Sequence, residues 1–76
     1  MTRFELYKLI SRTVEYHIKI INDLKIKNNK SLAKHFYTVI ISLVNNYYHF
    51  TRLTVDAKNY FINRITSNSD WIFNKK

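Results

Sequence analysis

The side chains able to do chemistry are few and scattered. The five carboxylates stand at Glu5, Glu15, Asp23, Asp56 and Asp70. No helical spacing brings two of them onto one apolar face, as paired acid–base catalysis requires. His35 and His49 lie fourteen positions apart with no i,i+4 companion able to share a metal, and thiolate ligands are absent because there is no Cys. His17 falls inside an apolar repeat and reads as a satisfied core histidine. Ser31, Ser42, Ser67 and Ser69 have no base beside them in the pattern, and with no Gly there is neither a phosphate-cradling loop nor a nucleophile elbow. The expectation is a protein with no catalytic, cofactor or metal site, one that binds rather than transforms.

What remains is charge and aromatic surface. Thirteen Lys and Arg against five acids leave a formal net charge of +8. Lys25, Lys27, Lys30 and Lys34 form a basic run with no acid between positions 24 and 55. With Tyr16, Tyr37, Tyr47, Tyr48 and Tyr60 as stacking candidates, that run makes nucleic acid one expected partner, and an anionic membrane surface another. Against a phosphate track, the cations of the first segment alternate with Glu5, Glu15 and Asp23. A mixed face of this kind also serves simply to keep a small apolar protein in solution.

The elements that must carry these residues follow from a chain with no Gly and no Pro. Tight hairpins and sharp helix stops lean on those residues, so helices joined by Asn, Ser and Lys are expected. Tyr7, Ile10, Val14, His17, Ile21 and Leu24 recur at helical spacing, with Lys8, Arg12, Glu15, Lys19 and Asn22 on the opposite side and a Glu15–Lys19 pair along it. Leu32, Phe36, Val39, Leu43, Asn46 and Phe50 make a second stripe, expected to be buried, capped at its start by Asn29 or Ser31. From His35 to Thr51 there is no charged side chain, which marks the most buried helix or one that a partner covers. Thr51 and Thr54 are capping candidates for a third helix, with Asp56 in its first turn and Ala57, Phe61 and Ile65 as its stripe. The pattern predicts one all-α domain, a small antiparallel bundle of three helices over about 2–23, 31–49 and 54–66. Residues 67–76 form a flexible or docked tail, with a short fourth helix at 70–76 as the variant reading. Whether the second and third helices are one rod is left open by weak breakers.

A chain of 76 residues with five Phe, six Tyr and one Trp cannot bury all of them in three helices. Some aromatic surface must face outward, where Trp, Tyr and Arg carry binding energy out of proportion to their number. Trp71, Phe73, Lys75 and Lys76, with Tyr60 and Arg64 upstream, are the candidate contacts for a protein partner, and a homodimer is a further use of such surface. Arg3, Glu5, Lys8 and Arg12 interrupt any apolar stretch that could serve as a signal peptide, and the Cys-free composition suits a cytoplasmic setting.

The order of signals resembles a known family. Ile20-Ile21-Asn22-Asp23 closes an amphipathic first helix, and Leu24-Lys25-Ile26-Lys27-Asn28-Asn29-Lys30-Ser31-Leu32 is a basic connector. Phe50-Thr51-Arg52-Leu53-Thr54-Val55-Asp56-Ala57 opens a later helix before a Trp-bearing end. This series is similar to that of the immunity proteins of pediocin-like bacteriocins, which are small basic helical bundles. Their members are longer and carry a further helix, whereas the space between Ser31 and Thr54 here holds one. The resemblance implies a self-protection protein that acts at the cytoplasmic face on a bacteriocin-occupied membrane transporter, with specificity in the C-terminal half. The runner-up is a phage- or plasmid-type accessory protein that binds nucleic acid or inhibits a host or defence protein.

Overall fold

The computed structural model describes residues 2–50 and 53–73, and among them there are three helices and no strand. They are α1 (Arg3–Ile26), α2 (Lys30–Phe50) and α3 (Val55–Phe73). Each begins where a side chain supplies the hydrogen bonds that the first turn lacks. At α1 the Thr2 hydroxyl accepts from the Glu5 N–H at 3.1 Å, and the Glu5 carboxylate accepts in return from the Thr2 N–H at 3.4 Å. This reciprocal pair satisfies two donors at once. At α2 the Asn29 side chain accepts from the Leu32 N–H at 3.2 Å, and at α3 the Thr54 hydroxyl accepts from the Ala57 N–H at 3.1 Å. Asn29 and Thr54 are thus the caps among the candidates; Thr51 lies outside the described residues.

The turn between α1 and α2 shows how a Gly-free chain stops a helix. Asn28 adopts φ 55°, the single positive value among the described residues. That reversal lets the Asn28 N–H reach the Lys25 carbonyl at 3.1 Å and the Asn29 N–H reach the Leu24 carbonyl at 2.9 Å. Both carbonyls would otherwise be orphaned at the helix end. Asn tolerates this conformation better than other residues with a Cβ. Asn28→Gly should therefore leave the stability unchanged or slightly raised, while Asn28→Ile should cost about 1–2 kcal/mol in a urea titration.

The helices run up, down and up. His17 of α1 meets Phe36 of α2 with ring centroids 6.1 Å apart, and Tyr37 of α2 meets Phe73 of α3 at 5.1 Å, so each neighbour in sequence runs antiparallel. Tyr7 with Phe61 at 5.1 Å and Asn22 with Asn68 at 3.3 Å show α1 and α3 lying parallel. Leu53, buried between α2 and α3, seals one end, so the two are separate helices and not a continuous rod.

Two apolar clusters fill the interior. The larger joins Ile10, Val14 and Ile18 of α1, Ile40 and Val44 of α2, Leu53, and Phe61 and Ile65 of α3. The smaller, at the end holding the α1–α2 turn, joins Ile21, Leu24, Ala33 and Ile72. In α1 the expected stripe holds at Ile10, Val14, Ile21 and Leu24, with Ile18 completing it. His17 stands half-buried at its flank, where its Nδ1–H donates to the Thr13 carbonyl at 2.8 Å.

Two expectations give way. The third helix does not fade at 66, and the described residues from 70 on belong to it and not to a separate fourth: α3 runs unbroken to Phe73, while 74–76 lie outside the described residues. The polar run Ser67-Asn68-Ser69-Asp70 stays helical because the face carrying Ser69 and Ile72 is buried against the bundle, and its polar side chains are satisfied within their own turn. The Ser69 hydroxyl donates to the Ile65 carbonyl at 2.7 Å and the Asn68 amide to the Arg64 carbonyl at 2.9 Å. So satisfied, Ser69 is 1% exposed and Ile72 continues the stripe begun by Phe61 and Ile65. The second correction concerns α2. The buried residues are Ala33, Ile40 and Val44, with Tyr37 and Tyr47 partly buried beside them, and not the heavier stripe Leu32, Phe36, Val39, Leu43, Asn46 and Phe50.

Candidate functional site

The displaced stripe of α2 is the most unusual surface of the molecule. Phe50 is 86% exposed, Leu32 42% and Val39 40%, while Phe36 and Leu43 are only half-covered from within. An apolar groove runs along this side, lined by Val39, Leu43, Tyr47 and Phe50 with Thr38, Ser42 and Asn46. It is followed towards the start of α2 by a second groove, where Tyr16, Ile20, Leu24 and Ile26 of α1 meet Leu32 and Phe36. Ile26, at 84% exposure, stands at its edge. No Lys, Arg, Asp or Glu occurs in 35–50 to break the first groove. Scattered apolar side chains on a surface are ordinary; a continuous row down one helix is not.

Why α2 is built this way can be read from its spacing. Ala33, Tyr37, Ile40, Val44 and Tyr47 repeat at four and three, and so do Leu32, Phe36, Val39, Leu43, Asn46 and Phe50, one position out of step. Only one row can face the bundle axis. Small Ala33 allows α2 to approach α1 closely, and Tyr37 and Tyr47 can keep their hydroxyl ends towards water while their rings pack. The other row, apolar except for Asn46, is left at the flank.

The residues singled out at the C-terminus do not form one surface. Tyr60, Arg64 and Trp71 lie along one flank of α3 by their spacing, whereas Phe73 sits on the other, edge-on to Tyr37. Tyr60 is exposed, its ring 5.4 Å from Phe61. Arg64 is engaged with α1: its Nε donates to Glu15 Oε2 at 2.8 Å and its terminal nitrogen to Oε1, a two-pronged ion pair. The hydrogen bond to Glu15 and its negative charge push the guanidinium pKa up further, which changes nothing for a group that is always charged. This pair also replaces the expected Glu15–Lys19 contact, since a planar guanidinium can meet both carboxylate oxygens where an ammonium meets one. Trp71 is half-buried against the smaller cluster, with its indole Nε1 buried and unpaired among the described residues. The end of α3 is thus docked. Lys75 and Lys76 lie outside the described residues.

The basic candidates do come together. Lys25, Lys27, Lys30 and Lys34 are all exposed around the α1–α2 turn, where Lys27 to Ser31 line a shallow polar depression. Lys27 is partly offset, because it bridges Asp23 at 3.1 Å. Among the described residues no three His, Cys, Asp or Glu side chains gather to hold a metal ion, and no helix is long and apolar enough to cross a membrane. Comparison of the chain with protein-family models, curated proteins and solved structures finds no match in any of the three.

Proposed function

We propose that this chain is a non-enzymatic binding protein, a small helical scaffold that acts by presenting an apolar surface to another protein. The observation that carries this reading is the hydrocarbon row turned outward along α2. Burying such residues is the main source of favourable energy for a 76-residue chain, and here much of that resource faces solvent. Large apolar rows on an otherwise charged surface are what association uses.

In its concrete form the reading follows the resemblance to bacteriocin immunity proteins: a cytoplasmic protein that recognises a bacteriocin-occupied membrane transporter. Expression of the chain in the cytoplasm of a strain sensitive to a pediocin-like bacteriocin should then raise the dose needed to kill it by at least about tenfold, a difference of ~1.4 kcal/mol in effective affinity. No change in the killing dose across a panel of such bacteriocins removes this form of the proposal. A second reading, binding to a nucleic acid, is favoured by the gathering of Lys25, Lys27, Lys30 and Lys34 at one end. In a filter-binding assay it requires an affinity for duplex or single strands that falls steeply with salt.

A further inference from the structure

The outward row on α2 has a regularity that ordinary exposed residues lack. Leu32, Phe36, Val39, Leu43, Asn46 and Phe50 alternate by four and three, the seam repeat of a coiled coil, and five of the six are apolar. The repeat covers nineteen residues, a length of about 28 Å at 1.5 Å per residue. Within the bundle this seam is only partly received: Phe36 packs on the smaller cluster and Leu43 on the larger, while Leu32, Val39 and Phe50 are left exposed. Resting on the reading of this row as a contact surface, we infer that its occupant is a second copy of the same chain, with the two α2 helices packed antiparallel.

Three features of the surface select that occupant. First, the positions flanking the seam on its outer side are His35, Ser42 and His49, all exposed. Helices that pair with a different partner usually carry acids and bases there to choose it, and these offer a charged partner no counter-charge. Second, the chain carries +8, so two copies repel wherever their Lys and Arg approach, and residues 35–50 present none. Third, the spacing of the seam, alternately four and three, is the same in both directions. Antiparallel pairing sets Leu32 against the partner's Phe50, Phe36 against the partner's Asn46 and Val39 against the partner's Leu43, with Ser42 close to the two-fold axis.

Charge also decides the orientation. Lys25, Lys27, Lys30 and Lys34 crowd the end of the molecule where α2 begins. A parallel pair would press two such clusters together, whereas an antiparallel pair sends them to opposite ends of a body 42 Å long. Helix dipoles favour the same choice. A single seam of about 28 Å by about 10 Å buries less than the roughly 800 Å² per partner of a standard interface, so a weak, reversible dimer is expected.

The test uses the absence of Cys. Ser42→Cys, in a chain with no other thiol, should oxidise to a disulfide-linked dimer, while Asn63→Cys on the exposed side of α3 should not. Sedimentation equilibrium of the unmodified chain from about 10 to 500 μM should show the dimer fraction rising with concentration, and rising further with salt as self-repulsion is screened. Val39→Lys and Phe50→Lys, both at exposed positions, should shift the chain to monomer by at least tenfold in dissociation constant while the helical circular-dichroism signal is kept. A monomer throughout that range overturns the inference. A dimer indifferent to both substitutions overturns the seam, and a dimer without the Ser42 cross-link overturns the antiparallel register. Because this readout is independent of bacteriocin killing, a monomer that protects cells sinks only the self-pairing. A dimer that fails to protect sinks only the immunity form of the function.

Discussion

Phe61→Ala should lower the thermal midpoint of the bundle by upward of about 12 °C, the largest effect of any single truncation in the chain. Phe61 is 1% exposed and is the largest side chain fully enclosed. It meets Tyr7 of α1 at 5.1 Å and packs in the cluster that also holds Ile40 and Val44 of α2, so it touches the joint between all three helices. Truncating a buried Phe costs about 3–5 kcal/mol, because the transfer energy is lost and the cavity refills only in part. A domain of this length has a total stability of about 4–11 kcal/mol at the usual 0.05–0.15 kcal/mol per residue. With a total at the lower end of that range the variant is partly unfolded at room temperature, as circular dichroism would show directly. A shift of only a few degrees would mean that Phe61 does not sit at the centre of the core.

The second large effect separates a docked helix from a tail. Ile72→Ala should cost about 2–5 kcal/mol, whereas the same change in a free tail would stay within ±0.5 kcal/mol. Ile72 is 8% exposed and packs with Ile21, Leu24 and Ala33, so its side chain closes the smaller cluster at the turn end of the bundle. The chain's one Trp, Trp71, stands next to it and reports the event. In a urea titration followed by Trp emission, the midpoint should fall while the unfolded baseline is unchanged. An unaltered midpoint would restore residues 67–73 to the status of a loose end.

These two residues also show what the sequence makes legible and what it hides. The larger cluster was open to reading in α1 and α3: Ile10 and Val14 recur among charged neighbours, and Phe61 and Ile65 follow a clear cap at Thr54. In such amphipathic helices only one face can be buried, so periodicity is decisive. Ile72 was hidden because four polar residues precede it. Nothing in Ser67-Asn68-Ser69-Asp70 announces that Ser69 will be buried with its hydroxyl satisfied by the Ile65 carbonyl. Composition argued for a loop there, and burial of the face that carries Ser69 and Ile72 overruled it.

The candidate surface was misplaced for a different reason. Along α2 two apolar rows run side by side, and a periodicity argument cannot rank them. The heavier row looks like the better core, yet bundle geometry favours the row with Ala33, which permits close approach. The lack of charge, which pointed either to burial or to cover by a partner, extends along the flank left outside. At the C-terminus the split of the candidate residues between two flanks of α3 follows from their spacing, whereas the engagement of Arg64 by Glu15, 49 positions away, depends on a partner that only the folded chain brings near.

The up-down-up course of the helices has a kinetic corollary. Contacts of α1 with α2, and of α2 with α3, join stretches adjacent in the chain and can zip together early as two local hairpins. Tyr7 reaching Phe61, or Glu15 reaching Arg64, joins residues some fifty positions apart and is completed only once both hairpins have met. Those interactions should accordingly form after the rate-limiting barrier. Losing Glu15 or Arg64 should hasten unfolding and leave the speed of folding almost untouched. With no Pro in the chain, refolding also has no slow isomerisation phase to mask that order of assembly.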